Sequence, residues 1–456
     1  MEHTKNSVMP DYEKMHHWEK YSDTLRTEYW QCVDEGLDVE GLKDLFVNIS
    51  EMPESDYKER LADVIFDMII NTKSVQGYKY NEPSELCEIL ALRDGEKPEL
   101  KMPDDKTLES KIYGAWYGRI CGCLLGKTVE GVRTPELIPV LKESGNYPMH
   151  RYILRSDITD EMIAKFKFPY AKRCYADTVD CMPADDDTNY TVLYQKVIEK
   201  YGRDFTPENV AEAWLAYQPK NAYCTAERVA FCNFVKGYRP PDSAIYKNPY
   251  REWIGAQIRA DYFGYINPCD TKTAAEYAWR DASVSHIKNG IYGEMWAAAM
   301  IAAAAGLDDI EQIIRAGLSE IPKTSRLYES VMHIIENYRS GMSCGDCFAD
   351  IHKRWDEVWS HHWCHTISNA EIVAAALLYG ENDYGKTICL SVETGFDTDC
   401  NAATAGSVLG MKNGIDSIDE YWKAPINGKV ETQIFGVGIV DIDTLAKKTM
   451  DHIKNK

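Results

Sequence analysis

The sequence of 456 residues predicts a mostly α-helical protein. Apolar residues recur at three- and four-residue steps, which is the spacing of one helix face. Strand-like alternation is rare; its best example is residues 431–440 (ETQIFGVGIV), which also suits a loop. Apolar residues at 45% and aromatic residues at 11% supply a core and exclude disordered and low-complexity classes. The periodicity predicts helices over residues 30–46, 57–70, 84–92, 108–130, 189–201, 273–282, 293–305, 327–338 and 369–378.

Charge and targeting signals narrow the partners. The chain has 51 Lys and Arg against 72 Asp and Glu, a net charge of −21. Such an acidic protein repels nucleic acid and anionic membranes but is compatible with divalent cations. The longest apolar run, residues 295–305, is shorter than the roughly 20 residues that span a bilayer, so we expect a buried helix. Without a secretory signal, the 14 cysteines are expected to be reduced thiols in a cytoplasmic protein.

Two irregular segments organise the chain. Residues 95–106 (GEKPELKMPDDK) are charged and lack periodicity, which predicts a boundary. We therefore divide the chain into a helical N-terminal extension, residues 1–103, and a larger domain, residues 104–456. Residues 238–268 carry RPP and NPY turns and are long enough to form a functional loop.

The larger domain opens with a glycine-rich helix. Gly114, Gly118, Gly122 and Gly126 fall every four residues and form one smooth face. Interior glycines cost about 0.5–1 kcal/mol each relative to alanine, so the face predicts close approach by another backbone. Glu130 follows one step later and places a carboxylate at the end of a buried helix.

Two acidic turns, about 200 residues apart, each precede a helix. The first contains Asp185, Asp186 and Asp187; the second contains Asp397 and Asp399. Each has a structural interpretation, as helix-capping acids or an Asx turn. Each also has the oxygen ligands that Mg²⁺ prefers. If the turns converge, their mutual repulsion needs cations to offset it, and the pair becomes a candidate two-metal site.

Histidine and cysteine offer two further possibilities. His286, just before an Ala-rich helix, is either a general acid/base or a structural residue. A zinc site is an alternative, although apolar residues at helical steps interrupt its ligand pattern. Its candidate ligands are Cys344, Cys347, His352, His361, His362, Cys364 and His365.

In this order, the motifs resemble the ADP-ribosylglycohydrolase family, which includes the dinitrogenase reductase-activating glycohydrolases. Residues 122–130 (GCLLGKTVE) are similar to the family's G-D-A-L-G-x-x-x-E, with Cys123 where Asp is frequent. Residues 185–188 (DDDT) are similar to T-D-D-T, and residues 395–402 (GFDTDCNA) to G-G-D-T-D-T-N-A. The likeness covers roughly residues 105–450 and leaves out the N-terminal extension.

The resemblance implies an all-α, ADP-ribosylglycohydrolase-like orthogonal helical domain. It also implies two Mg²⁺ ions, or Mn²⁺, in a central cleft and hydrolysis of a ribosyl glycosidic bond. The cations would orient ribose hydroxyls and water, while carboxylates face the developing positive charge. The implied catalytic acids are Glu130, Asp187 and Asp397. The implied metal-site residues are Asp185, Asp186, Asp187, Asp397, Asp399 and Cys400.

The chain departs from the family pattern at three places. Asp185 replaces a Thr and adds negative charge, and Cys400 replaces a Thr, which would suit a softer metal. Residues 253–261 (WIGAQIRAD) stand where the family usually has G-N-G-x-x-M-R, so a smaller glycoside is a possible substrate. The predicted substrate-binding residues are Arg259, Asp261, His286, Tyr292, Glu294 and His365, with Tyr262, Tyr265 and Asn369 as further candidates for the pocket wall.

The leading hypothesis is a metal-dependent hydrolase of an ADP-ribosyl or related furanosyl glycoside, either small or protein-linked. A second is a hydrolase of simpler N- or O-glycosides. A third is a non-catalytic binding protein on the same fold, as in lens crystallins. A fourth is a zinc-dependent interaction module around residues 344–365.

Overall fold

The computed structural model describes residues 16–93 and 98–455. It is 63% helical, with two short strands among the described residues, which confirms the all-α prediction. Residues 1–15, on which the expectation about a secretory signal rests, lie outside the described ranges. Residues 95–97 of the predicted boundary also lie outside them. Within the described residues, no helix is both long and apolar enough to cross a membrane.

The N-terminal extension is helical but more broken than predicted. The expected helix over residues 30–46 is wrong, because the chain turns at Gly36, whose φ of +73° is left-handed. The ring of Tyr78 fills the space that a Cβ on Gly36 would need. Residues 21–69 bury an apolar cluster of their own, whereas Ile89 packs in the main core. The helices are α1 (Leu25–Asp34), α2 (Lys43–Ser50), α3 (Asp56–Ile69) and α4 (Leu86–Ala91).

The larger domain packs its helices around α14, which is buried along nearly its whole length, as the apolar run predicted. Its helices are α5 (Asp105–Lys127), α6 (Thr134–Glu143), α7 (Asp160–Lys165), α8 (Asp186–Tyr201), α9 (Pro207–Tyr217), α10 (Thr225–Val235), α11 (Asp242–Ile245), α12 (Asp261–Tyr265), α13 (Thr271–Ala282), α14 (Lys288–Ala304), α15 (Ile310–Leu318), α16 (Arg326–Arg339), α17 (Cys344–Arg354), α18 (Ser360–Trp363), α19 (Thr366–Tyr379), α20 (Tyr384–Glu393), α21 (Thr398–Asn413), α22 (Glu420–Lys423) and α23 (Ile442–Lys454).

The strand-like residues 431–440 and the predicted functional loop over residues 238–268 both have defined structures. Residues 431–440 belong to a hairpin: β1 (Lys429–Glu431) pairs antiparallel with β2 (Ile439–Asp441), and residues 432–438 connect them. Residues 248–268 are almost wholly buried rather than an exposed loop. Side-chain hydrogen bonds satisfy backbone carbonyl groups in this segment. The side-chain amide of Asn248 donates to the carbonyls of Ala244 at 3.0 Å and Ser285 at 2.9 Å.

The glycine face of α5 packs directly against the backbone of α21, which confirms the predicted close approach. A Cβ on Gly118 would lie closer than 3.0 Å to the Gly406 carbonyl, and one on Gly122 would meet the Ala402 carbonyl. Gly126 abuts the Thr398–Asp399 peptide in the same way. The two helices therefore run antiparallel, and the C-terminal end of α5 meets the N-terminal end of α21.

Replacing Gly118 with alanine tests this backbone contact. We expect Gly118→Ala to lower the free energy of unfolding by about 1–3 kcal/mol, because carbonyl groups cannot move aside as a flexible side chain can. Gly345→Ala is the control: Gly345 is also helical but has nothing within 4 Å of its Cβ position. It should gain up to about 1 kcal/mol from helix propensity. Urea denaturation measures both; a neutral Gly118→Ala would contradict the close contact.

Buried ion pairs join the N-terminal extension to the larger domain. Arg251 donates from Nη1 to Oε1 of Glu28 at 2.8 Å and from Nε to Oε1 of Glu35 at 2.6 Å. All three side chains are at most 7% exposed. Arg228 and Lys220 both pair with Glu19, each at 2.7 Å. Charge pairs therefore fix the extension against the larger domain: the Arg251 and Arg228 pairs are buried, whereas Lys220 is 40% exposed.

Removing Arg251 should release this attachment. Arg251→Met leaves Glu28 and Glu35 buried without their guanidinium, and we expect a loss of about 3–5 kcal/mol in the free energy of unfolding. Arg339→Met is the matched control: Arg339 is 59% exposed beside Glu311, and such pairs contribute about 0–1 kcal/mol. Equal losses for the two variants, measured by urea denaturation, would show that apolar contacts hold the extension instead.

Candidate metal centre

Asp185 caps helix α8 and neutralises a lysine. Its backbone is extended, and its Oδ1 accepts a hydrogen bond from the Asp187 backbone N–H at 3.0 Å. Its Oδ2 accepts from Lys127 Nζ at 2.6 Å. The capping interpretation therefore holds for Asp185, and the extra negative charge that it brings is offset by the lysine at the end of α5.

Asp187 is fully buried, and its two carboxylate oxygens differ in their hydrogen bonding. Its Oδ1 accepts from Arg119 Nη2 at 2.9 Å, while its Oδ2 is buried with no hydrogen-bond partner among the described residues. Arg119 also donates from Nη1 to Oδ2 of Asp261 at 2.7 Å and has no solvent exposure. The guanidinium thus fixes Asp187 and leaves one carboxylate oxygen free for a ligand.

The second acidic turn begins α21 and is positioned by α5. Gly395 and Phe396 both have positive φ, +73° and +60°, which makes the turn sharp. The Thr398 hydroxyl donates to the Gly126 carbonyl at 2.9 Å and ties the turn to the end of α5. Asp399 Oδ1 is buried, and within residues 16–93 and 98–455 nothing hydrogen-bonds to it. Asp399 therefore offers a second free carboxylate oxygen.

Asn369 of α19 braces the same turn. Its Oδ1 accepts from the Asp397 backbone N–H at 3.2 Å and from Asn401 Nδ2 at 2.8 Å. Its Nδ2 donates to the Trp363 carbonyl at 2.8 Å. Asn369, a candidate for the pocket wall, thus touches the backbone of the acidic turn.

The two acidic turns meet. Ligand atoms of Asp187, Asp399 and Cys400 lie within 4.8 Å of one another, and so do those of Cys123, Asp185 and Asp187. Burial and the carboxylates of Glu130 and Asp185 raise the pKa of Asp399 well above its usual range. Burial also raises the pKa of Asp187, against the opposing effect of Arg119.

This donor set fits a hard divalent cation. It offers unpartnered carboxylate oxygens, and the repulsion among them is what a bound cation would relieve. Burial raises the pKa of the Cys123 and Cys400 thiols, which keeps them neutral and makes them weak ligands for Mg²⁺. Oxygen atoms therefore dominate the candidate site.

Glu130 and Asp186 lie at the rim of this cluster. The Glu130 side chain is 41% exposed, and burial of its carboxyl together with repulsion by Asp185 and Asp397 raises its pKa to about 7. Asp186 is half-buried at the first position of α8, and burial and the charges of Asp185 and Asp187 raise its pKa. Asp397 is 7% exposed beside Asp399 and Cys400. These three acids belong to neither group of mutually close ligand atoms.

Four of the predicted substrate-binding residues lie in the core instead of in a pocket wall. Arg259 pairs with Asp281 at 2.5 Å and Glu227 at 2.7 Å, and Glu294 lies 3.4 Å from its guanidinium. Asp261 sits under Arg119, and the Tyr292 hydroxyl donates to the Pro83 carbonyl. All four side chains have no exposed surface, so a substrate contact would require them to be uncovered. Sequence periodicity marks such positions as inward-facing but cannot distinguish a cavity from a buried ion network.

His286, Tyr262 and Tyr265 contact residues outside the acid cluster. His286 bonds to the Ser285 hydroxyl and lines a separate cavity of about 250 Å³ whose lining contains none of the acids above. Tyr262 and Tyr265 are buried, with hydroxyl contacts to His452 at 2.6 Å and Ser407 at 2.8 Å.

His361 and His365 group with Asp34 of the extension rather than with Cys344 and Cys347. His361 Nδ1 accepts from Trp253 Nε1–H at 3.2 Å, so the neutral ring carries its proton on Nε2 and donates to Asp34 at 2.9 Å. His365 Nδ1 accepts from a backbone N–H, and its Nε2 lies 3.6 Å from Asp34. Burial lowers the pKa of His365 to about 3. The geometry favours a hydrogen bond between His361 and Asp34, which connects the extension to the larger domain, over a zinc site.

Arg119 and Lys127 contact the acid cluster but were not among the predicted site residues. Both lie in the glycine-rich helix that the sequence singled out, and Arg119 directly follows Gly118. A charged residue inside an apolar, glycine-rich helix is the signal, because burying it requires a partner of opposite charge.

Residues 104–454 match the family model described as ADP-ribosylglycohydrolase. The chain therefore belongs to the ADP-ribosylglycohydrolase family, whose members are typically metal-dependent hydrolases. Among solved structures, 43 chains match. One, titled "ADP-ribosylglycohydrolase-related protein complex", is 15% identical over 76% of this chain and 99% of that chain, with a TM-score of 0.45. No curated protein matches the sequence.

Removing Lys127 tests the charge balance of the acid cluster. Lys127→Met should cost about 3–5 kcal/mol of unfolding free energy in the presence of EDTA, because Asp185 loses its buried partner. Adding Mg²⁺ should restore part of this loss. Lys127→Met combined with Asp185→Thr should recover most of it without metal, since the pair becomes neutral and Thr still caps α8. Urea denaturation of both variants decides; equal stability of the single and double variants would contradict the pairing.

Proposed function

We propose that the protein is a metal-dependent glycoside hydrolase that cleaves a ribosyl or related furanosyl bond. The observation that carries the proposal is the pair of buried, unpartnered carboxylate oxygens, Asp187 Oδ2 and Asp399 Oδ1, from distant parts of the chain. Family membership supports hydrolysis of a glycosidic bond. Mg²⁺, or Mn²⁺, suits the oxygen ligands, and the acid set has room in its charge balance for two such ions.

The acids at the starts of α8 and α21 would hold the cations: Asp185, Asp186, Asp187, Asp397 and Asp399. When bound, divalent cations orient substrate hydroxyls and make hydroxide available near neutral pH. Arg119 holds Asp187 in place, and Asp261 holds Arg119, so Asp261 acts as a positioning residue rather than as a substrate contact.

Glu130 is the acid best placed for proton transfer. Its side chain is 41% exposed at the rim, whereas Asp187 and Asp399 are enclosed. We assign its carboxylate the role of accepting a proton from the attacking water. The remaining carboxylates stabilise the positive charge that develops on the sugar ring as the bond to the leaving group breaks.

A smaller glycoside than an ADP-ribosyl conjugate is the second candidate substrate. Arg259, which lies in the segment similar to the family's substrate loop, has its guanidinium committed to Asp281 and Glu227. A buried, paired guanidinium cannot also bind a diphosphate. This observation favours nucleosides or simple furanosides.

Neutralising single acids tests the function. Asp187→Asn and Asp399→Asn should each weaken Mg²⁺ binding by at least about 100-fold in calorimetry, because each removes the charge of a candidate ligand. Asp399→Asn should leave stability in EDTA unchanged or higher, since it removes repulsion among buried acids. Asp451→Asn, at an exposed position of α23, is the matched control with unchanged binding.

Hydrolysis is measured on ADP-ribosyl-protein, nucleosides and furanosides, with Mg²⁺ and with EDTA. Metal-dependent turnover of one of these classes, lost in both acid variants, is the expected result. Absence of tight divalent binding by the wild-type protein would favour a non-catalytic binding protein.

A further inference from the structure

A cavity of about 730 Å³ lies between the N-terminal extension and the larger domain. Its volume is within the range of small-molecule pockets, about 300–1,000 Å³. Tryptophan dominates its lining: Trp18 and Trp30 come from the extension, and Trp253, Trp359 and Trp363 from the larger domain. We call this cavity the aromatic cavity.

The aromatic cavity adjoins the acid cluster. Asn369 joins the two: its amide donates to the Trp363 carbonyl at 2.8 Å, and its oxygen accepts from the Asp397 backbone N–H at 3.2 Å. Cys364 also lines the cavity, and it is close enough to Asp397 for that charge, after burial, to raise the pKa of its thiol. None of the cluster acids lines the cavity itself, so Cys364 and Asn369 stand between a ligand there and the acidic turn of α21.

Contacts from the larger domain hold the two tryptophans of the extension in this wall. The Tyr250 hydroxyl donates to the Trp18 carbonyl at 2.7 Å, and the Arg228 guanidinium stacks over the Trp18 ring at 4.5 Å. The Trp30 and Trp359 rings meet edge to face across the boundary, with centroids 5.1 Å apart. These contacts fix the ring positions before any ligand binds.

The cavity offers aromatic rings, each with a cation over one face: Arg228 over Trp18, Lys43 over Trp30 and Arg133 over Trp363. Its cationic lining is already engaged, because Arg26 pairs with Glu51 and Lys43 lies over the Trp30 ring at 5.0 Å. The buried indole N–H of Trp363 has no acceptor among the residues that the structure describes. Flat rings stack on tryptophan, and an acceptor atom on such a ring would satisfy this N–H.

We propose that the N-terminal extension completes the active site, and that the aromatic cavity binds the flat ring of the leaving group of the glycoside substrate. The inference rests on the proposed hydrolase function, since it assigns the substrate's sugar to the acid cluster and its ring to the tryptophans. Trp18, Trp30 and Trp363 then determine specificity for glycosides whose leaving group is a flat aromatic ring over glycosides whose leaving group has no such ring.

Calorimetry with Mg²⁺ tests the inference with three probes. Adenosine and 4-nitrophenyl ribofuranoside carry a flat aromatic ring (the ring-bearing probes), and methyl ribofuranoside does not. For the wild-type protein, at least one ring-bearing probe should bind at least about tenfold more tightly than the methyl glycoside. Trp30→Leu should remove most of that preference, and Trp30→Phe should restore part of it. Tyr57→Leu, at a side chain of the same extension that is 56% exposed, is the control with an unchanged preference.

A second variant guards against misfolding of the first. Trp363→Phe keeps a ring but removes the unpartnered N–H, and it should weaken the favoured ring-bearing probe about threefold or more while Mg²⁺ binding persists. Equal binding of all three probes by the wild-type protein, or a preference unchanged in both tryptophan variants, overturns the inference. Loss of Mg²⁺ binding in the wild type overturns the proposed function instead, so the two failures are distinguishable.

Discussion

The backbone contact between α5 and α21 is the constraint on which the site depends. Four glycines remove every side chain between the two helices, and carbonyl groups fill the space instead. Because the contact is antiparallel, it brings the end of α5, with Lys127 and Glu130, to the start of α21, with Asp397 and Asp399. A shift of one helical turn along this interface would separate those acids, so tight packing sets the geometry of the candidate metal centre.

Charge is the second organising principle. Asp185, Asp187 and Asp399 are buried, so water screens their charge poorly and the protein supplies fixed cations beside them. Arg119 neutralises one oxygen of Asp187 and one of Asp261, and Lys127 neutralises Asp185. A protein that needed only structural stability would gain by replacing such acids with apolar residues, which is why the retained charge indicates a ligand.

Local patterns in the sequence predicted the helical class, the glycine contact and the acidic turns, because each depends on residues within a few turns of helix. Pairings across the chain were beyond that reasoning. Arg259 has the spacing expected of a substrate-loop residue, yet buried acids enclose it. Asp34 meets His361 across 327 positions, and periodicity carries no information on such a pair. The break at Gly36 was missed because an apolar pattern continued through it. Whether residues 1–103 form a separate domain stays a prediction.

The hydrogen bond from Thr398 to the Gly126 carbonyl spans 272 positions. Ribosomes add about 5–20 residues each second, so the glycine face waits roughly 15–50 s for its partner helix to be synthesised. During that interval the glycine face of α5 is uncovered and can contact the wrong partners. Biogenesis of this protein thus has a built-in delay late in translation, and chaperones acting on nascent chains would have their longest opportunity at α5.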